Sequence, residues 1–299
     1  MAGTPGAEVE VGEALVSALI ADQHPRYADL PVMFAGDGWD NFTFRLGDEL
    51  AVRLPRRAAS VDLLVNEQRW LAIAAEGVAL PVPRPVATGV AGRGYPWPWS
   101  IVPWIEGAPV DHAPLDAEQG VTLADFLRAL HRPAPEEAPA NPGRGVRLEV
   151  RRQRFGQCLD RLRASPDLIT PAIDRAWRDA LDAPFAETLV WLHGDLHAQN
   201  VLSKNGLLAG VIDWGDMCAG DAAVDLCGVW GLLPQASSRV AALARYAPDD
   251  ALLARARGWA ILFGATLFEN GRVDDPRHAA IGEATLRRLA EDLSVRRAA

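Results

Sequence analysis

Three oxygen-bearing side chains spaced between residues 191 and 215 have the types and order that phosphoryl transfer needs. Asp195 lies in Trp191-Leu192-His193-Gly194-Asp195-Leu196-His197, Asn200 follows five positions later, and Asp213 comes thirteen after that, in Val211-Ile212-Asp213-Trp214-Gly215. Such a transfer leaves a protein little covalent work. It requires a carboxylate beside the attacking hydroxyl and groups that hold metal ions on the nucleotide phosphates. Asp195 suits the first task. Asn200 and Asp213 suit the second, because Mg²⁺ takes hard oxygen ligands and keeps several of its waters. The plain alternative is an ordinary His-Gly-Asp turn with an unrelated Asp at a strand end.

What must position these residues is the stretch between them. Val201-Leu202-Ser203 and Leu207-Leu208-Ala209-Gly210-Val211-Ile212 flank Lys204-Asn205-Gly206. Two apolar runs around an Asn-Gly turn predict a β-hairpin. It would bring Asn200 and Asp213 to one open end, close enough to share a metal. Asp216, one turn past Asp213, is a candidate for binding a substrate amine or hydroxyl.

The five-residue step from Asp195 to Asn200 equals that of the protein-kinase pattern H-R-D-L-x-x-x-N, and Asp213 stands where D-F-G supplies a metal ligand. Gly194 replaces Arg and Trp214 replaces Phe. With Gly220-Asp221-Ala222-Ala223-Val224-Asp225-Leu226, the chain resembles the aminoglycoside phosphotransferase family of kinase-like enzymes over roughly residues 34–233. The resemblance implies an α+β, bilobal protein-kinase-like fold: residues 1–105 as a nucleotide-binding lobe with an antiparallel sheet and a helix, and residues 106–299 as a mainly helical catalytic and substrate-binding lobe with the catalytic hairpin. It implies ATP or GTP as phosphoryl donor, Mg²⁺, and a small hydroxylated substrate, foremost an aminoglycoside-like antibiotic. Macrolides, other antibiotics, amino alcohols and sugars are substrates of the same class. A catalytically silent nucleotide-binding module is the reading from another class.

The resemblance extends to further residues. Gly36, Gly38 and Asn41 form the glycine loop over the phosphates, where absent side chains let backbone N–H groups approach. Arg53 occupies the third-strand position where the family more often has a phosphate-contacting Lys, and Glu67 on the next helix is its expected ion-pair partner. Pro103 C=O and Ile105 N–H would meet the adenine edge. Asp225 would brace the catalytic loop, and His193 is scaffold. His197 falls where many kinases place a γ-phosphate-contacting Lys; it either stabilises charge on the transferred group or caps the loop. Glu269, Asp274 and Asp275, after an apolar helix at 259–268, are candidates to face a polycationic ligand.

Composition removes other classes. Of the 30 Lys and Arg residues only Lys204 is a lysine, and it sits in the hairpin turn, so any phosphate-gripping cation must be Arg. No G-K-[ST] occurs, which excludes a Walker A loop. The net charge of −9 argues against nucleic acid and suits a cationic substrate. Cys158, Cys218 and Cys227 form no C-x-x-C pair, so neither a disulfide framework nor a zinc site is suggested and a reducing cytoplasm fits. Residues 1–11 carry no basic leader, and no apolar run reaches the roughly 18 residues of a membrane span.

Around the motif, the sequence predicts helices at 13–21, 63–71, 116–130, 149–164 and 171–181, and strands at 42–46 and 50–55. Proline-rich residues 80–86 and the segment 133–145 are predicted loops. Residues 97–107 form a last strand running into the hinge, with Trp97 and Trp99 as core.

Overall fold

Apolar side chains at alternate positions of residues 42–54 build the first sheet. The computed structural model describes residues 6–163 and 167–295. Strands β1 (Val32–Asp37), β2 (Asn41–Leu46), β3 (Leu50–Pro55), β4 (Ala87–Gly89) and β5 (Trp99–Pro103) form an antiparallel sheet in the order β1-β2-β3-β5-β4. Successive strand residues point to opposite faces. Phe44, Leu46, Val52 and Leu54 therefore pack on Val16, Leu19 and Ile20 of helix α1 (Glu13–Gln23), with Trp99 and Ile101 completing a small core. Trp97 is partly buried against it. The opposite face carries Arg53 toward helix α2 (Val61–Ala74). That helix donates from Gln68 Nε2 to Trp99 O at 3.0 Å on the sheet side and buries Trp70, Leu71 and Ala74 in the larger core.

The second lobe is helical: α3 (Gln119–Leu130), α4 (Leu148–Leu162), α5 (Pro171–Asp182), α6 (Ala223–Leu226), α7 (Gly228–Leu232), α8 (Ala236–Tyr246), α9 (Asp250–Asp274) and α10 (Pro276–Val295). Short strands β6 (Ala108–Pro109), β7 (Val190–Leu192), β8 (Val201–Lys204), β9 (Leu207–Val211) and β10 (Cys218–Gly220) thread it. Trp191, Trp214, Trp230 and Trp259 are fully enclosed at its centre. Helix α9 packs on α10, α5, α4 and α6. Its Asp250–Val273 stretch is long and apolar enough to cross a membrane by length and composition, but 56% of the apolar window is buried inside the protein.

The predicted hairpin is present. β8 pairs antiparallel with β9. Asn205 (φ 55°) and Gly206 (φ 79°) both take the left-handed conformation of a type I′ turn, which is why Asn-Gly stands there. Helix α3 starts three residues later than the apolar spacing suggested, and 133–145 is irregular as expected.

Candidate active site

Between the lobes lies a cleft of about 1130 Å³. Gly36, Gly38, Asn41 and Arg53 line it from the sheet, Pro103 and Ile105 from the connection, and Asp195, His197, Asn200, Asp213 and Asp216 from the helical lobe. The glycine turn is braced from behind. Gly38 N donates to Asn41 O at 2.9 Å, Arg56 pairs with Asp37 at 3.1 Å, and Asp40 accepts from Arg57 at 2.9 Å and Ser60 Oγ at 2.7 Å.

Arg53 meets Glu67 as expected: its Nη1 donates to both carboxylate oxygens at 2.6 Å. Glu67 is 1% exposed, so it does not itself reach the cleft and acts through Arg53. Sequence reasoning missed the third member. Arg53 Nη2 donates to Asp213 Oδ1 at 2.9 Å, tying the sheet to the hairpin's end. Burial opposes the guanidinium charge, but Glu67 and Asp213 outweigh it and hold its pKa up. The same burial pushes the Glu67 carboxyl upward against the pull of Arg53.

The loop from His193 to Asn200 is held by the side chains of Asp225, His193 and Asn200. Asp225, fully buried, accepts from His193 N at 2.7 Å and Gly194 N at 2.9 Å. His193 donates from Nε2 to Ile212 O at 3.0 Å while Nδ1 accepts from Asp195 N at 3.2 Å, which fixes the tautomer. Its ring meets Trp214 edge-on at 4.8 Å, so the tryptophan in the D-F-G position is core. Gly194 has φ 85°, and a Cβ there would lie 2.5 Å from Asp216 O. An arginine, as in the protein-kinase pattern, has no room. Asn200 Nδ2 donates to Asp195 O at 2.9 Å, and Ile212 N to Asn200 O at 2.8 Å, closing the hairpin's end beside the loop.

His197 is tied into the loop and stands beside Asp195. Its Nδ1 accepts from Gln199 N at 3.2 Å, and its Nε2 lies 3.3 Å from Asp195 Oδ2. Burial draws the imidazole pKa down, but the adjacent Asp195 carboxylate overrides this and raises it. For Asp195, burial works against the ionised form, yet Arg144 and then His197 hold the carboxyl well below the usual carboxylate range.

Arg144 is the residue that the sequence did not signal. It comes from the loop between α3 and α4, and its Nη2 donates to Asp195 Oδ1 at 2.7 Å and lies 3.5 Å from Asp216 Oδ2. Asp216 also accepts from Asn141 Nδ2 at 2.7 Å. Burial pushes the Asp216 carboxyl up, with Asp195 and Asp213 adding to it and Arg144 opposing.

One expected substrate residue is not brought to the cleft. Phe263, Thr266, Leu267 and Asn270 line it, the i, i+3, i+4, i+7 face of α9. Glu269 lies on another face and pairs with Arg161 of α4 at 2.6 Å, 14% exposed. The Asp274 side chain falls outside the described residues. Asp275 does line the cleft, paired with His278 Nδ1 at 2.9 Å.

The donor set fits Mg²⁺: the Asn200 amide and the Asp213 carboxylate both line the cleft at the hairpin's end, with no cluster of three His, Cys, Asp or Glu among the described residues to cage a metal alone. A Mg²⁺ held by one or two protein oxygens takes the rest from phosphates and water.

A five-stranded antiparallel sheet over a helical lobe, with the cleft between them, is the architecture of the kinase-like phosphotransferases. The chain belongs to the phosphotransferase enzyme family, whose model matches residues 32–259, and it is a small-molecule phosphotransferase. It is 30% identical over 204 residues to viomycin phosphotransferase of Streptomyces vinaceus, an alignment covering 62% of this chain and 68% of the relative. Among solved structures, the GDP complex of aminoglycoside 2′-phosphotransferase-IIIa superimposes with a TM-score of 0.65 at 18% identity, covering 96% of this chain and 100% of that one. The macrolide 2′-phosphotransferase of Brachybacterium faecium, an apoenzyme, does so with a TM-score of 0.57 at 22% identity, over 92% and 98%.

Proposed function

We propose that this protein transfers the terminal phosphoryl group of ATP or GTP to a hydroxyl of a small antibiotic. Residues 1–105 bind the nucleotide, and residues 106–299 supply the base and the acceptor site. The observation that carries the reading is the meeting of Asp195, Asn200 and Asp213 on one wall of a cleft whose other wall presents Arg53 and the glycine turn. The viomycin, aminoglycoside and macrolide phosphotransferases named above support an antibiotic acceptor, and the GDP complex supports a nucleotide donor.

Asp195 accepts the hydroxyl proton as the acceptor oxygen bonds to the terminal phosphorus and the bond to the leaving nucleoside diphosphate breaks. Asn200 and Asp213 would hold Mg²⁺, which neutralises charge on the phosphate oxygens. Arg53, fixed by Glu67, keeps Asp213 in place and offers its guanidinium to the phosphates. Gly36, Gly38 and Asn41 cover the triphosphate, and Pro103 and Ile105 receive the base edge. His197 supports Asp195 and stabilises charge on the moving phosphoryl group. Asp216 faces the acceptor. The buried thiols of Cys158, Cys218 and Cys227, free of disulfides, suit a cytoplasmic setting.

The test is a panel of viomycin, kanamycin, streptomycin, a macrolide and amino alcohols, scored for nucleotide consumption and for a phosphoryl group added to the acceptor by mass spectrometry. Phosphorylation of at least one antibiotic is the expected result. Amino alcohols alone as acceptors would move the reading to a metabolite kinase. Nucleotide binding without consumption would leave only a binding module.

A further inference from the structure

The acceptor side of the cleft contains a cation that the proposed chemistry has not used. Arg144 reaches it from a loop secured on both sides. Asn141 Oδ1 accepts from Gly143 N at 2.8 Å and Arg144 N at 3.2 Å, and Ala219 N donates to Pro139 O at 2.9 Å. The guanidinium carbon rests 4.8 Å over the Phe263 ring, whose face attracts the cation. One nitrogen, Nη2, then touches two carboxylates: Asp195 at 2.7 Å and Asp216 at 3.5 Å. Asn141 spends its amide on Asp216 as well, so the same loop sets both carboxylates.

The arrangement has a chemical consequence. Asp195 Oδ1 and Asp216 Oδ2 share one nitrogen, so they lie within about 6 Å of one another, the span of two hydrogen bonds. An acceptor that gives its reacting hydroxyl to Asp195 can give a neighbouring amine or hydroxyl to Asp216. Without a cation between them, two half-buried carboxylates so close would repel, and one would turn away or take up a proton.

We propose that Arg144 is a positioning residue that locks the carboxylates of Asp195 and Asp216 into one acceptor-binding pair, so that the donor group captured by Asp216 aligns the neighbouring hydroxyl on Asp195. This rests on the phosphotransferase reading above. It adds a residue on which acceptor geometry depends and restricts acceptors to molecules with a second hydrogen-bond donor beside the reacting hydroxyl. Arg144 does not touch the nucleotide side, where Arg53 already serves.

The experiment compares Arg144→Met, Arg144→Lys, Asp216→Asn and the Arg144→Met/Asp216→Asn pair, with Mg·ATP as donor and viomycin as acceptor. If viomycin is not turned over, the best acceptor of the panel replaces it. Nucleotide Kd is measured by calorimetry and folding by circular dichroism. Misplacing a reacting group by about 1 Å costs on the order of 100-fold, so Arg144→Met is expected to lower kcat about 100-fold with nucleotide Kd within about twofold of the parent. Arg144→Lys keeps the charge but not the fork, and it should fall between them. It carries the test if Arg144→Met does not fold. The double variant should be little worse than Arg144→Met alone, because the coupling is already lost. Parental kcat in Arg144→Met, or in Arg144→Lys should it stand in, a defect confined to nucleotide KM, or independent multiplication of the two single effects would overturn the proposal. Asp195→Ala separates the two levels. If it retains transfer, the functional reading fails; if it abolishes transfer while Arg144→Met does not reduce it, only the role of Arg144 fails.

Discussion

Replacing Arg53 by Met separates what the arginine does for stability from what it does for phosphate transfer. Its side chain is 10% exposed and Glu67 is 1% exposed, so the substitution strands a buried carboxylate that had two contacts of 2.6 Å. Breaking a buried pair by removing one partner costs about 3–5 kcal/mol. For a chain of this size each kcal/mol shifts Tm by roughly 2–4 °C, so a loss on the order of 10 °C is expected. The deficit should depend on pH. Burial already pushes the Glu67 carboxyl upward, and without Arg53 its main opposition is gone. A carboxyl whose folded pKa exceeds its unfolded value of about 4.3 destabilises at higher pH, so the deficit shrinks as pH falls from 7.5 toward 5. Adding Glu67→Met replaces the pair by two apolar chains of similar volume, and most of the Tm should return. Activity should not, because Asp213 has lost its 2.9 Å partner and the phosphates their cation. Thermal melts at the two pH values, with initial rates of nucleotide consumption, make the measurement. Parental melting of Arg53→Met, or recovery of turnover in the double variant, would refute the reasoning.

Three further outcomes follow from the geometry. Asp225→Asn offers one acceptor to two backbone N–H groups now held at 2.7 and 2.9 Å, so one buried donor is stranded; a loss of about 2–3 kcal/mol in urea unfolding is expected, together with reduced kcat. Gly194→Ala places a Cβ 2.5 Å from Asp216 O at a φ of 85°, which must displace the loop beside Asp195; a kcat loss on the order of 100-fold with nearly unchanged nucleotide Kd is the expected result. Arg277 binds Asp111 with Nη2 to Oδ1 at 2.7 Å and joins α10 to the segment after β6. Burial alone would raise the Asp111 carboxyl, but Arg277 lowers it below its ordinary value. That contribution is therefore present above the unfolded pKa of about 3.9 and fades as pH falls through the lower folded value. Asp111→Asn should cost no more than about 1 kcal/mol at pH 7, since Arg277 is partly solvated, and the difference in Tm should shrink as pH falls below the unfolded pKa toward the lower folded value.

The centre of the site was legible because its signals are local. An Asn-Gly turn between apolar runs specifies a hairpin, and the positions of Asn200 and Asp213 follow from its length. The β3 alternation put Val52 and Leu54 in the core and left Arg53 on the other face, where it meets Glu67. The missing pieces depend on tertiary contacts. Arg144 stands 51 positions before Asp195 in a Pro- and Gly-rich loop whose residues show no periodicity, and the Arg53 contact with Asp213 spans 160 positions. Glu269 follows an apolar run, which by itself points it toward the substrate. The helical face set by Phe263, Thr266, Leu267 and Asn270 turns it toward Arg161 instead, a signal present in the sequence once the helix phase is known.

The most direct test of the central claim is Asp195→Ala assayed with the best acceptor of the panel, with nucleotide affinity measured on the same preparation. A general base contributes about 10²–10⁴-fold, so phosphorylated product should form at least roughly 100 times more slowly while nucleotide Kd stays within about twofold of the parent. Product formation at the parental rate would contradict the account.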